Sequence, residues 1–194
     1  MKFEIFKFKN VISTNDTAID LIKNKQKKSG IFYSDIQKKG RGTYGKKWIS
    51  EKGNLFSTIF FPLKSNYPSF SEFSIINPII ISDVIKHYCG KKNINLKFPN
   101  DIFLNGKKIS GILQELIISN KKKFLLIGVG VNVISNPKLN TKYQATNILL
   151  ETKKKPQIKD IINLIILSYE KFFINLNSYE YIYFKKKANL MALN

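Results

Sequence analysis

The sequence predicts an α+β domain, a mixed and mostly antiparallel sheet with helices packed against it. Two observations carry that expectation. Strand-like segments follow one another in hairpin-like succession, with helical segments between and after them. Between two apolar runs sits Asn105-Gly106, a dipeptide that tolerates the positive φ of a tight hairpin turn. The 194 residues fit one domain, or a domain with a small appendage, and 43% hydrophobic residues are enough for a core.

The elements can be taken in order. Phe3–Ile12 alternates apolar and charged residues and predicts a strand. Ser13, Thr14 and Asn15 are N-cap types, and Ala18, Leu21 and Ile22 continue at helical spacing. Gly30–Gln37 predicts a strand that feeds a glycine-rich loop, and Gly53–Leu63 a buried strand stopped near Pro62. Ser71–Gly90 predicts a buried helix ended by Gly90, with Pro78 expected to kink or divide it. Lys121–Ile134 predicts a buried strand in which Gly128 and Gly130 allow close approach. The segment from Gln157 has helical periodicity, and the tail from Tyr179 is expected to continue or end that helix. There is no internal repeat and no long linker.

The formal net charge is +20. The lysines are dispersed in short runs such as Lys121–Lys123, so a solvated, Lys-biased surface is favoured over a nucleic-acid stripe. Cys89 is the only cysteine, so no intramolecular disulfide can form, and a reducing cytoplasm is compatible. The N-terminus lacks the continuous apolar stretch of a secretory signal, and no apolar run reaches the length of a membrane span.

Chemistry concentrates in three places. Gly40–Gly45 (GRGTYG) surrounds Arg41, the only arginine, and Trp48, the only tryptophan, follows. Glycines expose backbone N–H groups, and a guanidinium stays charged when desolvated, so the loop could hold a carboxylate or phosphate. It could equally be a glycine-rich surface turn. The spacing is not that of a P-loop. Lys97–Ile112 (KFPNDIFLNGKKISGI) sets Asn100 beside Asp101, an amide and carboxylate able to hold a polar ligand or a hydrated Mg²⁺, with Lys108 beyond the hairpin tip. Gly128–Asn132 (GVGVN) offers glycines that admit a flat ligand or only relieve crowding. His87 is solitary, and no Ser/His/Asp arrangement or His/Cys cluster appears.

The order "STN", "Q", "GRGTYGKKWIS", "KFPNDIFLNGKKISGILQE", "GVGVN" closely resembles the catalytic domain of biotin–protein ligases, over about residues 8 to 135. The resemblance implies that domain's fold, which is similar to class II aminoacyl-tRNA synthetases. It implies ATP-dependent biotinylation of a lysine through biotinyl-5′-adenylate, the reaction of a biotin–[acetyl-CoA-carboxylase] ligase, with Mg²⁺ as cofactor. It assigns Ser13, Thr14, Asn15, Gln37, Gly40, Gly42, Thr43 and Gly111 to the ligand pocket and Arg41 to the carboxylate and phosphates. Trp48 would wall the biotin tail. Lys97, Asn100 and Asp101 match positions at the ATP phosphates and metal, with Asp101 the metal residue. Lys108 would polarise the reacting groups, and Asn132 would lie near adenine. Lys108, Arg41 and Asp101 are the expected catalytic set. The implied partner is a biotin carboxyl carrier protein of acetyl-CoA carboxylase, in the cytoplasm, without DNA or membrane; a homodimer through the sheet is compatible.

The chain departs from the family pattern in three ways. Thr43 stands where many members carry a second arginine, and Phe98 replaces a tryptophan. At the ends, residues 1–194 are expected to be the catalytic domain alone, with no N-terminal helix-turn-helix and no C-terminal SH3-like domain. A lipoate ligase or octanoyltransferase would share the fold but is disfavoured by "GRG…W" and "KFPND". A basic nucleic-acid module would show steeply salt-dependent binding. A non-catalytic biotin binder is disfavoured by Arg41, Asp101 and Lys108.

Overall fold

A computed structural model of the chain describes residues 1–137 and 143–193. Seven strands form one sheet in the order β1-β2-β3-β7-β6-β5-β4. They are β1 (Glu4–Val11), β2 (Gly30–Gln37), β3 (Leu55–Pro62), β4 (Ile94–Lys97), β5 (Asp101–Leu104), β6 (Lys107–Ser119) and β7 (Lys122–Val131). Among these seven strands β1 and β2 pair in parallel, and the other strand pairings are antiparallel. The parallel pair requires a crossover, and α1 (Thr14–Lys23) supplies it. Asn105 and Gly106 join β5 to β6 with φ of 50° and 74°, the double positive φ of a tight hairpin.

Side-chain alternation divides the sheet into two faces. On β7, Leu125, Ile127, Val129 and Val131 enter the main core with Ile31, Ile59 and Phe61. That face is covered by α2 (Phe70–Cys89), α4 (Ile158–Ile174) and α5 (Tyr181–Leu190). The opposite face packs Phe32, Phe60, Phe124 and Leu126 against Ala18, Leu21 and Ile22 of α1. Gly128 and Gly130 lie on this second face, beyond the reach of that cluster.

The structure differs from the sequence expectation at several elements. The helix α2 runs undivided through Pro78. An interior proline costs about 3 kcal/mol, which the burial of Ile76, Ile79, Ile81, Val84 and Ile85 on the sheet exceeds at about 1.5–3 kcal/mol per side chain. A capping box between Ser69 and Glu72 fixes the helix start. The tail does not extend α4. Asn175 caps it, a 3₁₀ turn spans Leu176–Ser178, and α5 is separate. One further element lacks a periodic signature, the short α3 (Ile148–Thr152). The edge of β4 is covered by the chain end, where Leu96 donates to the Met191 carbonyl and accepts from the Leu193 amide. No described helix is long and apolar enough to cross a membrane.

Candidate functional site

A cleft of about 590 Å³ opens on the α1 face, within the range of small-molecule sites. Its lining draws on the start of α1, the loop after β2, the β4–β5 turn, and strands β6 and β7. Motifs far apart in sequence therefore meet in one place.

The first wall begins at Ser13, the N-cap of α1, whose hydroxyl accepts from the Asp16 amide. The Thr14 amide and hydroxyl both donate to Gln37 Oε1, at 2.8 and 3.0 Å. Gln37 Nε2 donates to Ser50 at 3.1 Å, so this pair is held from both sides and presents fixed polar groups to the cleft.

Residues 40–48 form a small hairpin. Trp48 N–H donates to the Gly40 carbonyl at 2.9 Å and Gly42 N–H to the Lys46 carbonyl at 2.7 Å. A Cβ at Gly40 would meet the Trp48 carbonyl at 2.6 Å, which explains a glycine there. The tip turns at Tyr44 and Gly45, with φ of 55° and 72°. The hairpin lays the Trp48 indole on the cleft floor, over Gly111 and Gly130, which are register partners of β6 and β7. A Cβ on Gly111 would come within 2.6 Å of Trp48 Cζ3, and one on Gly130 would come closer still to the ring. Both β7 glycines admit side chains of this same chain, and both also line the cleft. Gly128 admits Asn15, and Gly130 admits Trp48. The Trp48 Nε1 is buried without a hydrogen-bond partner among the described residues.

The cationic wall faces this floor. Lys108 Nζ lies 2.7 Å from Asp101 Oδ1 and 5.6 Å from the centre of the Trp48 ring. Asn100 Nδ2 donates to the same Asp101 oxygen at 3.0 Å and to the Thr43 hydroxyl at 3.4 Å, linking the β4–β5 turn to the glycine hairpin. Lys97 Nζ sits 3.8 Å from the centre of the Tyr143 ring, a cation–π contact at the mouth. Asn132 is buried, and its Nδ2 donates to the Thr146 carbonyl at 3.0 Å.

Two predicted site residues are engaged differently from the expectation. Asn15 is buried, with its Oδ1 accepting from Thr58 and its Nδ2 donating to Glu115. Arg41 was expected at an anion, yet it grips Glu115 with two parallel bonds of 2.8 Å and Asp16 at 2.8 Å. Burial works against its charge, but the hydrogen bonds and attraction of Glu115, then of Asp16, prevail and raise its pKa. Glu115 and Asp16 carried no assignment from the sequence. Only the glutamate's place at the end of "GILQE" could have drawn notice. Tyr143 was likewise missed.

Among the described residues no three His, Cys, Asp or Glu side chains gather as a metal cluster. Asp101 with Asn100 fits Mg²⁺ only in the manner of nucleotide sites, where one or two carboxylates share the ion with phosphates and water.

Comparison with known proteins adds three findings. Residues 8–132 match the model of the biotin/lipoate A/B protein ligase family. The chain is 31% identical over 123 residues to the bifunctional ligase/repressor BirA of Escherichia coli, covering 62% of this chain and 38% of that protein. It is 27% identical over 164 residues to the BirA of Bacillus subtilis, covering 82% and 50%. It thus spans half or less of those two relatives. In fold it is similar to the biotin protein ligase of Leishmania major in complex with biotinyl-5-AMP (TM-score 0.84, 24% identity, 98% of this chain and 81% of that one). It is similar also to that of Aquifex aeolicus in complex with biotin and ATP (TM-score 0.82, 24% identity, 98% and 78%).

Proposed function

The chain belongs to the biotin/lipoate A/B protein ligase family, and on that premise we propose that it joins biotin to a lysine of a carrier protein at the expense of ATP. In the first step a biotin carboxylate oxygen forms a bond to the α-phosphorus of ATP. The bond to the bridging oxygen breaks, and pyrophosphate leaves. In the second step the acceptor lysine amine attacks the carbonyl carbon of the mixed anhydride, AMP departs, and the amine loses a proton.

The observation that carries this reading is the convergence of three unlike walls in one cleft. Thr14 and Gln37 supply fixed polar groups for a ureido ring. The Trp48 indole supplies an apolar wall for an alkyl tail. Lys108 and Lys97 supply cations where two anions must meet. The barrier to adenylation is dominated by repulsion between those anions, so fixed cations lower it. Asp101 and Asn100 would hold Mg²⁺, which when bound neutralises phosphate charge. The hairpin over the cleft, closed by its own backbone bonds, limits access of water to an adenylate. The acceptor is a biotin carboxyl carrier domain of acetyl-CoA carboxylase; Biotin--[acetyl-CoA-carboxylase] ligase is the name of a relative from Paracoccus denitrificans, 30% identical over 100 residues. A net charge of +20 would steer an acidic carrier domain.

The test is transfer of labelled biotin to a carrier domain with ATP and Mg²⁺, by wild type and Lys108→Ala, with lipoate as competitor. Transfer by wild type, its loss in the variant and no competition by lipoate are expected. Transfer of lipoate in place of biotin would overturn the choice of substrate.

A further inference from the structure

The Nη1–Nη2 fork of Arg41, the edge that would grip a substrate anion, is already taken by a carboxylate. Nη1 donates to Glu115 Oε1 and Nη2 to Glu115 Oε2, and Nη2 also lies 2.8 Å from Asp16 Oδ1 as an ion pair. One guanidinium beside two carboxylates leaves that corner with a net charge of −1. An incoming carboxylate or phosphate would be repelled there unless the bidentate pair first broke. Lys97 and Lys108, on the other wall, are not held by two carboxylates.

The carboxylate of Glu115 is itself held. Its Oε2 accepts from Asn15 Nδ2, and Asn15 accepts from Thr58. Asn15 can lie there because Gly128 has no side chain, since a Cβ at that position would collide with its amide. The chain of contacts therefore runs from β3 through α1 and β6 to the hairpin that carries Trp48. Arg41 sits at the base of that hairpin, bridged to Lys47.

We infer that Glu115, seconded by Asp16, is a positioning residue that pins the glycine hairpin through Arg41, so that Arg41 acts on the reaction by fixing the hairpin and Trp48 and not as counter-ion to the substrates. This rests on the biotinylation reading for its kinetic consequences, but not for its structural one.

The test is a double-mutant cycle of Arg41→Lys, Glu115→Gln and the pair together. Lysine keeps the charge but cannot make a fork. Two readouts are taken: hydrogen exchange of the 40–48 amides without ligand, and release of biotinyl-AMP alongside separate kcat and KM values. Each single variant is expected to speed both exchange and release about tenfold, with the double variant no worse than either single, because both break one contact. An unchanged thermal midpoint confirms that the fold is intact. The inference is overturned if Glu115→Gln exchanges and releases as wild type while Arg41→Lys alone raises KM for biotin or ATP. If wild type forms no biotinyl-AMP, the proposed reaction fails, and the exchange arm still decides the pinning.

Discussion

The Trp48 ring rests on Gly130, and nothing larger than a hydrogen on that α-carbon would leave it there. Gly111, the register partner of Gly130, supplies the other half of the same flat floor. Gly130→Ala is therefore expected to lift the indole from the floor and weaken biotin binding at least tenfold. Overpacking costs about 1–3 kcal/mol of stability, leaving a folded protein on which to measure it. Titration calorimetry with biotin reports the effect. Trp48→Phe keeps a flat ring and deletes the unpartnered Nε1 donor, so it should bind biotin within about threefold of wild type, because removing an unsatisfied group is nearly neutral.

Lys108 and Asp101 are paired at 2.7 Å, so the two substitutions should separate by readout. Lys108→Ala is expected to slow adenylate formation by about 10²–10³, the scale of losing one stabilising group in the transition state. Biotin affinity without ATP should stay near wild type. Asp101→Asn should instead raise the Mg²⁺ concentration needed for half-maximal rate. Pyrophosphate exchange over a Mg²⁺ series distinguishes them, and an unchanged Mg²⁺ requirement would remove Asp101 from the metal.

Thr43 accepts a long bond of 3.4 Å from Asn100 and brings no charge to the hairpin. Thr43→Arg adds a cation beside the cleft and is expected to slow release of biotinyl-AMP about tenfold, in line with one new charge-assisted hydrogen bond. Equal release rates for the two proteins would sink the idea.

Cys89 is buried at the end of α2, and burial, with a smaller effect of Glu151, pushes its thiol up to about 11. The folded chain holds this proton more tightly than the unfolded one, whose thiol titrates near about 8.5. That contribution to stability is intact below the lower value and is lost as pH rises toward the higher one. Stability measured by urea unfolding should fall less between these limits in Cys89→Ala than in wild type. At pH 8 the native thiol should react with a disulfide reagent at least about tenfold more slowly than in the denatured chain.

Much of the frame was legible along the chain, because it depends on neighbours in sequence. Ser13 caps α1, Asn105-Gly106 turns β5 into β6, and alternation marks β7. The extent of α2 through Pro78 was not legible, since burial against the sheet outweighs the local penalty of the ring. The strands β4, β5 and β6 were legible as strand-like apolar pairs in the block from Asn93 to Ile118, punctuated at "PND" and "NGK".

For the site, the sequence by itself determined, through its likeness to a family pattern, that Thr14, Gln37, Trp48, Asp101 and Lys108 belong together, and the fold lines a single cleft with them. Only the tertiary structure decided what several of them touch. Arg41 meets Glu115 across 74 positions, and Asn15 meets it across 100. Gly128 and Gly130 are open because Asn15 and Trp48 come from elsewhere to fill them. A guanidinium or an amide states its bonding capacity in the sequence. Its partner is chosen by which carboxylate the fold brings within about 3 Å, and that distance exists only once the sheet, helix and hairpin have packed.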